Sequence, residues 1–234
     1  MVTQPVSTTQ SATRSATRQT KSDMLLDRAG GAAVVIARIA AVILAFLAVI
    51  QLVITIMFLV DGRSFAPDAT SGYAVSMDAG IGTAIITGHF LDSDIRLVNW
   101  TNDAINAPAV VLVSLERTAI LTLFALVFGE LAALLANLRD WLRDRVRYAD
   151  AEAGTPSPFR TVPIERLDRV GWYLITAPVS ALVVTGVCAL LGCAVSVTGG
   201  SSTAILVMLG ILAFMFARVF GYGAALQHDV DGLL

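Results

Sequence analysis

Charged side chains are scarce in this sequence: they make up 15% of its 234 residues, where about 25% is usual in soluble domains. So few charges argue against a soluble globular protein and exclude a nucleic-acid-binding domain with a basic face. The only two cysteines, Cys188 and Cys193, lie in one apolar helical run at a spacing too wide for a disulfide. Because apolar residues make up 56% of the chain, we predict an integral membrane protein.

Motifs that carry catalysis or bind cofactors are also missing. The sequence has no phosphate-binding loop, no His-Glu-x-x-His zinc motif and no nucleophile elbow. Its two histidines, His89 and His228, fall on opposite sides of the predicted membrane, which argues against a histidine relay. We therefore predict a non-enzymatic protein with no cofactor, no metal and no catalytic residue.

Four apolar segments are long enough to cross a bilayer as helices, which takes about 20 residues each. We predict an all-α integral membrane protein that forms a four-helix transmembrane bundle. The predicted spans are residues 31–60, 109–138, 171–197 and 203–223. The last two form a helical hairpin, because the charge-free run 170–217 is interrupted only by an outer turn of Thr, Gly and Ser at 198–202.

Arginine and lysine are unevenly distributed between the connecting segments, and this bias predicts the orientation. The loop 139–170 holds seven arginines, whereas the segment 61–108 holds two arginines and six aspartates. We therefore predict that both termini and the Arg-rich loop are cytoplasmic, in the cytoplasmic membrane of a bacterium. The Ser- and Thr-rich tail 1–30 is predicted to be disordered, and residues 224–234 form a short cytoplasmic tail.

The segment 61–108 is predicted to be a small extracytoplasmic unit. Its short apolar runs at 73–77, 81–87 and 95–101 are separated by Gly and Asp, and they are compatible with weak β-hairpins. No spacing of its aspartates resembles a calcium-binding loop.

Three charges lie deep inside the predicted spans, away from the outer ends of the helices: Arg38, Glu130 and Arg218. All three fall in the cytoplasmic half at similar depth, where charges usually pair or face water. One interpretation is an intramembrane ion network with Glu130 between the arginines, which biases the bundle between two packings or lines a polar path in a small transporter or channel subunit. The alternative is that the arginines extend to lipid headgroups while Glu130 bonds a neighbouring hydroxyl. The pair Glu116-Arg117 is predicted to mark the outer interface.

The Arg-rich loop and the C-terminal tail carry the most distinctive polar pattern. Prolines end the helix that continues from the second span, and a new helix begins near Pro163 with Thr161 as its cap. One interpretation is an interfacial lead-in to the third span, with Trp172 in the aromatic belt. The other is a docking surface for a cytoplasmic partner, formed by Pro158, Phe159, Glu165, Arg166, Arg169, Asp229 and Asp231.

Small residues recur four apart along the first span, at Ala33, Ala37, Ala41 and Ala45. Small residues at this spacing let helix backbones approach closely. We therefore predict that this row is a helix-packing face.

Two stretches carry a family resemblance. One runs from Ser157-Pro158-Phe159 to Arg169-Val-Gly171-Trp172, and the other is Phe216-Ala-Arg-Val-Phe220-Gly-Tyr-Gly223 with the acidic tail behind it. Through them the chain resembles an uncharacterised bacterial family of four-pass membrane proteins, domain-of-unknown-function family 2975. Members are often encoded beside small helix-turn-helix regulators, so the resemblance implies a regulatory membrane protein with such a soluble partner and no direct contact with nucleic acid. No catalytic residue is known for the family, and a homo-oligomer is compatible with it.

Overall fold

The computed structural model describes residues 8–68, 72–78, 80, 82–99, 102–147 and 161–231. Four helices dominate: α1 is Thr8–Val60, α2 is Ala107–Arg147, α3 is Thr161–Leu190 and α4 is Ser201–Asp231. Two residues of the predicted docking surface, Pro158 and Phe159, lie outside the described residues.

Each helix contains an apolar stretch long enough to cross a membrane. These stretches are Gly30–Val60, Ala107–Asp140, Ile164–Leu190 and Ser201–Leu226. A helix satisfies its backbone hydrogen bonds internally, which a hydrocarbon environment demands. The prediction of a mostly helical protein is confirmed, and four of its helices are long and apolar enough to span a membrane.

Between α1 and α2 the chain forms most of two small antiparallel sheets. The first sheet consists of β1 (Ala66–Pro67), β2 (Ala74–Asp78) and β3 (Thr83–Thr87). The second consists of β4 (His89–Phe90), β5 (Ser93–Ile95) and β6 (Val195–Val197), the last from the connection between α3 and α4. The structure thus has strands near the runs predicted at 73–77 and 81–87, whereas the run 95–101 contributes only Ile95 to these six strands.

The sheets and the helix ends share one apolar core. Val75 of β2 lies opposite Ile86 of β3, and both side chains are fully buried. Ile95 of β5 joins them, together with Val110 and Val113 of α2. We call this end of the molecule the sheet end, and the opposite end, where α2 and α3 approach residues 148–160, the loop end.

Each helix packs mainly against its neighbour in the sequence: α1 on α2, α2 on α3 and α3 on α4. Within the described residues α1 and α4 make no extensive contact with each other, so the helices form an open row rather than a closed bundle. The outer helices therefore leave wide apolar faces exposed, as at Phe46 of α1 and Met208 of α4. Faces of this kind are what lipid tails cover in a bilayer.

The helices run past several predicted boundaries. α1 begins at Thr8, so residues 8–29 are helical where the sequence predicts a disordered tail; no Gly or Pro in that stretch interrupts the helix. α2 continues to Arg147, into the predicted loop, and α4 continues to Asp231. Asp229 and Asp231 therefore lie in the last turns of a helix rather than in a tail.

The third span begins and ends seven residues earlier than predicted, at Ile164–Leu190. α3 ends at Leu190, and Gly192, with a φ of 78°, takes the left-handed conformation that commonly follows a helix. Val195–Val197 are extended because they pair with β5, which lies far away in sequence. α4 then begins at Ser201, inside the predicted 198–202 turn.

The face of α1 that packs on α2 contains only part of the predicted alanine row. The residues on this face are spaced three or four positions apart, as in the run Ala48, Gln51, Thr55 and Phe58. Val34 and Ala37 are buried nearer the start of the helix. Of the predicted row, Ala37 is buried and Ala33 and Ala41 are half-buried, whereas Ala45 is exposed. A constant step of four rotates by about 40° per step around a helix of 3.6 residues per turn, so the row drifts across the packing face until Ala45 lines an open cavity between α1 and α2.

Two glycines bring α3 and α4 close together. A Cβ on Gly210 would lie 2.7 Å from Cγ1 of Ile175 and 3.1 Å from the carbonyl oxygen of Gly171. A Cβ on Gly171 would lie 3.0 Å from the ring of Phe214, which meets Trp172 edge-on at a centroid distance of 5.6 Å. The helices cross at a distance that only glycine allows.

Candidate functional site

Glu130 of α2 contacts the beginning of α3 through two arginines. Arg166 Nη1 donates a hydrogen bond to Glu130 Oε2 at 2.7 Å, and Arg169 Nη1 lies 3.5 Å from Oε1. Arg166 and Arg169 stand about one turn apart on one face of α3, so a single carboxylate reaches both. The Glu130 side chain is only 16% exposed, and its negative charge is compensated inside the helix interface.

The predicted ion network differs from this arrangement, because Glu130 does not pair with Arg38 or Arg218. Both arginines are exposed, and neither forms an ion pair within the part of the chain that the structure describes. They belong to α1 and α4, the two outer helices of the row, whereas Glu130 faces α3.

The predicted docking surface is divided by the same contact. Arg166 and Arg169 bind Glu130, while Glu165 is exposed on α3. The sequence does contain a signal for the pair, because Arg166 and Arg169 share one face of a helical pattern that leads directly into the third span. The prediction missed it because it began the third span at residue 171, which left Arg166 on a helical lead-in outside the membrane, and because it paired Glu130 with Arg38 and Arg218 instead.

A second carboxylate, Glu116, is buried between α2 and α3 closer to the sheet end. It is 5% exposed and accepts a hydrogen bond from Ser180 Oγ at 2.8 Å. Its neighbour Arg117 points away from α3 and donates to Thr87 Oγ1 of β3. Arg117 thus meets the sheet, but Glu116 is turned into the helix interface, which the sequence prediction did not anticipate.

The two carboxylates mark two levels of one interface. Glu116 and Glu130 are about 21 Å apart along α2 at 1.5 Å per residue, and Ser180 and Arg166 are equally separated along α3. Apolar side chains fill the interface near Val127 of α2. If Glu130 lies near one edge of a hydrocarbon core about 30 Å thick, Glu116 lies toward its middle.

A buried polar cluster joins α1 to α2. Gln51 Nε2 donates to Ser114 Oγ at 2.8 Å, and the hydroxyls of Thr55 and Ser114 are 2.5 Å apart. Thr55 and Ser114 are essentially inaccessible to solvent. Such bonds between helices replace the driving force that water supplies to soluble proteins.

At the sheet end, the turn between β4 and β5 caps the last helix. Asp92 accepts the backbone N–H groups of Ser202 at 3.1 Å and Thr203 at 2.6 Å, in the first turn of α4. The backbone N–H of Thr198 donates to the carbonyl oxygen of Asp92 at 2.8 Å. The hydrogen bond from Thr203 is the main reason that the pKa of Asp92 lies below its usual value, although burial opposes it.

The other polar groups of the described ranges make local contacts. Within the described ranges, no three His, Cys, Asp or Glu side chains come together in a way that could hold a metal ion. His89 Nδ1 lies 2.7 Å from Asp94 Oδ1 on the neighbouring strand. A cavity of about 480 Å³ between α1 and α2 is lined by Ala, Val, Leu and two threonines, Thr118 and Thr122. The hydroxyls of these threonines bond to the backbone of α2, so the cavity wall is apolar.

Comparison with protein-family models, with curated proteins and with solved structures gave no match. The resemblance to domain-of-unknown-function family 2975 therefore stays an expectation from the residues that carry it.

Proposed function

We propose that this chain is a non-enzymatic, multi-pass membrane protein that engages a soluble protein partner at its loop end. The observation that carries the proposal is the charged start of α3. Glu165 and Asp168 are exposed there, while Arg166 and Arg169 are held by Glu130. The pair with Glu130 fixes the direction in which α3 leaves the membrane, so the exposed acids are presented on a rigid helix.

The partner class follows from the resemblance. A small helix-turn-helix regulator would dock on Glu165 and on the other predicted docking residues Pro158, Phe159, Asp229 and Asp231. In this scheme Arg166 and Arg169 are positioning residues that act through Glu130. The membrane protein would hold the regulator without touching nucleic acid itself.

The proposal requires the loop end to face the cytoplasm of a bacterial cell. The seven arginines of 139–170 support that orientation, with both termini inside and the sheets outside. A single cysteine at Glu165 or at Thr83, in a chain with Cys188→Ala and Cys193→Ser, tests it. A membrane-impermeant maleimide added to intact cells should label the cysteine at 83 and leave the one at 165 unlabelled until the membrane is opened. Labelling of 165 in intact cells would reverse the orientation.

Co-purification tests the docking surface. The full-length tagged protein is isolated from membranes of cells that also produce the helix-turn-helix protein encoded nearest to it. Glu165→Lys combined with Asp168→Lys should reduce recovery of that protein at least several-fold. Thr83→Lys, at an exposed position of the sheet end, is the matched control and should leave recovery unchanged. Equal recovery with the loop-end double variant and the wild type would refute this surface.

The alternative of a transporter or channel subunit is less well supported. Its polar path required Arg38, Glu130 and Arg218 together, but the two arginines are exposed on the outer helices. Glu130→Gln in reconstituted vesicles still separates the two hypotheses, because a change in ion flux would favour transport.

A further inference from the structure

Glu116 is a carboxyl group in surroundings that offer it no counter-charge. It is 5% exposed and lies in the first third of the apolar stretch Ala107–Asp140, nine residues after its start. The facing segments carry no charged residue at this level: α3 has none from 170 to 190, α4 none from 201 to 217 and α1 none from 39 to 60. The adjacent Arg117 is directed to Thr87 in β3.

The hydrogen bonds around Ser180 depend on whether Glu116 carries a proton. Ser180 Oγ lies 2.8 Å from Glu116 Oε1 and 3.0 Å from the carbonyl oxygen of Ala177. A hydroxyl has one proton and can donate only once, so an ionised Glu116 and Ala177 would compete for it. If Glu116 is protonated, its O–H donates to Ser180 Oγ and the Ser180 hydroxyl donates to Ala177. Both contacts are then complete hydrogen bonds.

We propose that Glu116 is a proton-binding site: it is a neutral carboxylic acid while α2 and α3 are packed together. Loss of the proton to water would leave a bare carboxylate in an apolar interface with a single donor. That state demands that water enters or that the helices separate. Proton occupancy therefore controls the contact between α2 and α3, and this inference does not depend on any partner at the loop end.

Infrared spectroscopy of the full-length protein in lipid nanodiscs tests the protonation state directly. A carboxylic C=O stretch appears above the amide I band and is absent from ionised carboxylates. At neutral pH the wild type should show this band, and Glu116→Gln should lose it. Glu130→Gln is the matched control, because Glu130 forms ion pairs with Arg166 and Arg169 and has no part in the Ser180 contact, so its removal should leave the band in place. An unchanged band in Glu116→Gln would overturn the proposal.

Two further measurements keep the test decisive if Glu116→Gln folds poorly. Ser180→Ala keeps the carboxyl group but removes the acceptor of its proton, so the band should shift in frequency; a band that does not move contradicts the geometry. In thermal unfolding, the wild type should lose stability as the pH rises from the ordinary glutamate pKa of about 4.3 to the pH at which folded Glu116 ionises, because over that range the proton is bound only in the folded state. Ser180→Ala should shift this decline to a different pH, and an identical pH profile would count against Glu116.

Discussion

Asp92 and Thr203 join two segments that are far apart in sequence: the Asp92 carboxylate accepts the Thr203 backbone N–H at 2.6 Å. The first backbone N–H groups of a helix lack partners within the helix, and a carboxylate both satisfies them and complements the helix dipole. Since β6 also pairs with β5, the connection between α3 and α4 is attached to the sheets at two places. The fourth helix is thereby held in position by residues that precede the second helix.

Removing this cap should loosen the start of α4. We expect Asp92→Asn to lower the melting temperature of the purified protein in detergent and to speed amide hydrogen exchange at Ser202 and Thr203, because Asn lacks the charge and one acceptor oxygen. Asp103→Asn is the control: it removes the same charge from an exposed position and should change neither quantity. Faster exchange in both variants would show that net charge, rather than the cap, matters.

The same contact predicts a pH dependence. Because the pKa of Asp92 lies below its usual value in the folded protein, the ionised form stabilises the fold at neutral pH and down to the ordinary carboxyl pKa of about 3.9. Below that pH the contribution is lost as the pH falls through the lowered pKa of the folded state. Melting temperatures between pH 7 and pH 3 should therefore fall more steeply for the wild type than for Asp92→Asn. Parallel curves would contradict this.

The membrane spans could be predicted from the sequence, but the contacts between them could not. A helix in lipid needs a long apolar run, and a run such as 39–60 is visible in the composition alone. The partner of Glu130 depends on which helices are neighbours, and four separate spans do not reveal that α1 and α4 are the outer ones. The pairing of β6 with β5 and the capping by Asp92 depend on residues a hundred positions apart, for which local patterns carry no signal.

The polar cluster between α1 and α2 should contribute measurably to stability. Ser114→Ala leaves the Gln51 amide and the Thr55 hydroxyl without their shared partner in a site that excludes water. We expect a loss of about 1–2 kcal/mol in the free energy of unfolding in mixed detergent micelles. Thr122→Ala is the control, since that exposed hydroxyl bonds only to its own helix backbone, and it should stay within about 0.5 kcal/mol. Equal losses would argue against the cluster.

The close crossing of α3 and α4 should not tolerate a side chain at Gly210. In Gly210→Ala the new Cβ meets Ile175 and the backbone of Gly171, so we expect a loss of about 1–3 kcal/mol from overpacking. Gly221→Ala in the same helix is the control, because nothing lies within 4 Å of its Cβ position. It should be neutral or stabilising, by up to about 1 kcal/mol, since Ala favours helix over Gly. If Gly210→Ala unfolds like the wild type, the helices are not in contact at this point.

The contact between Glu130 and Arg166 should behave as a coupled pair. Glu130→Gln leaves two arginines facing each other, and Arg166→Gln leaves the carboxylate with only Arg169, which is 57% exposed and 3.5 Å away. The losses in the free energy of unfolding of the two single variants, added together, should therefore exceed the loss in the double variant. Because Arg166 is 33% exposed, solvent screens part of the attraction, and we expect a coupling energy of about 1–2 kcal/mol in a double-mutant cycle.

Arg218→Gln is the control, because Arg218 is the exposed arginine that the sequence analysis paired with Glu130. Its coupling energy with Glu130→Gln should be below about 0.3 kcal/mol. A larger coupling with Arg218 than with Arg166 would restore the sequence-based network and remove the reason for treating the start of α3 as a rigid platform.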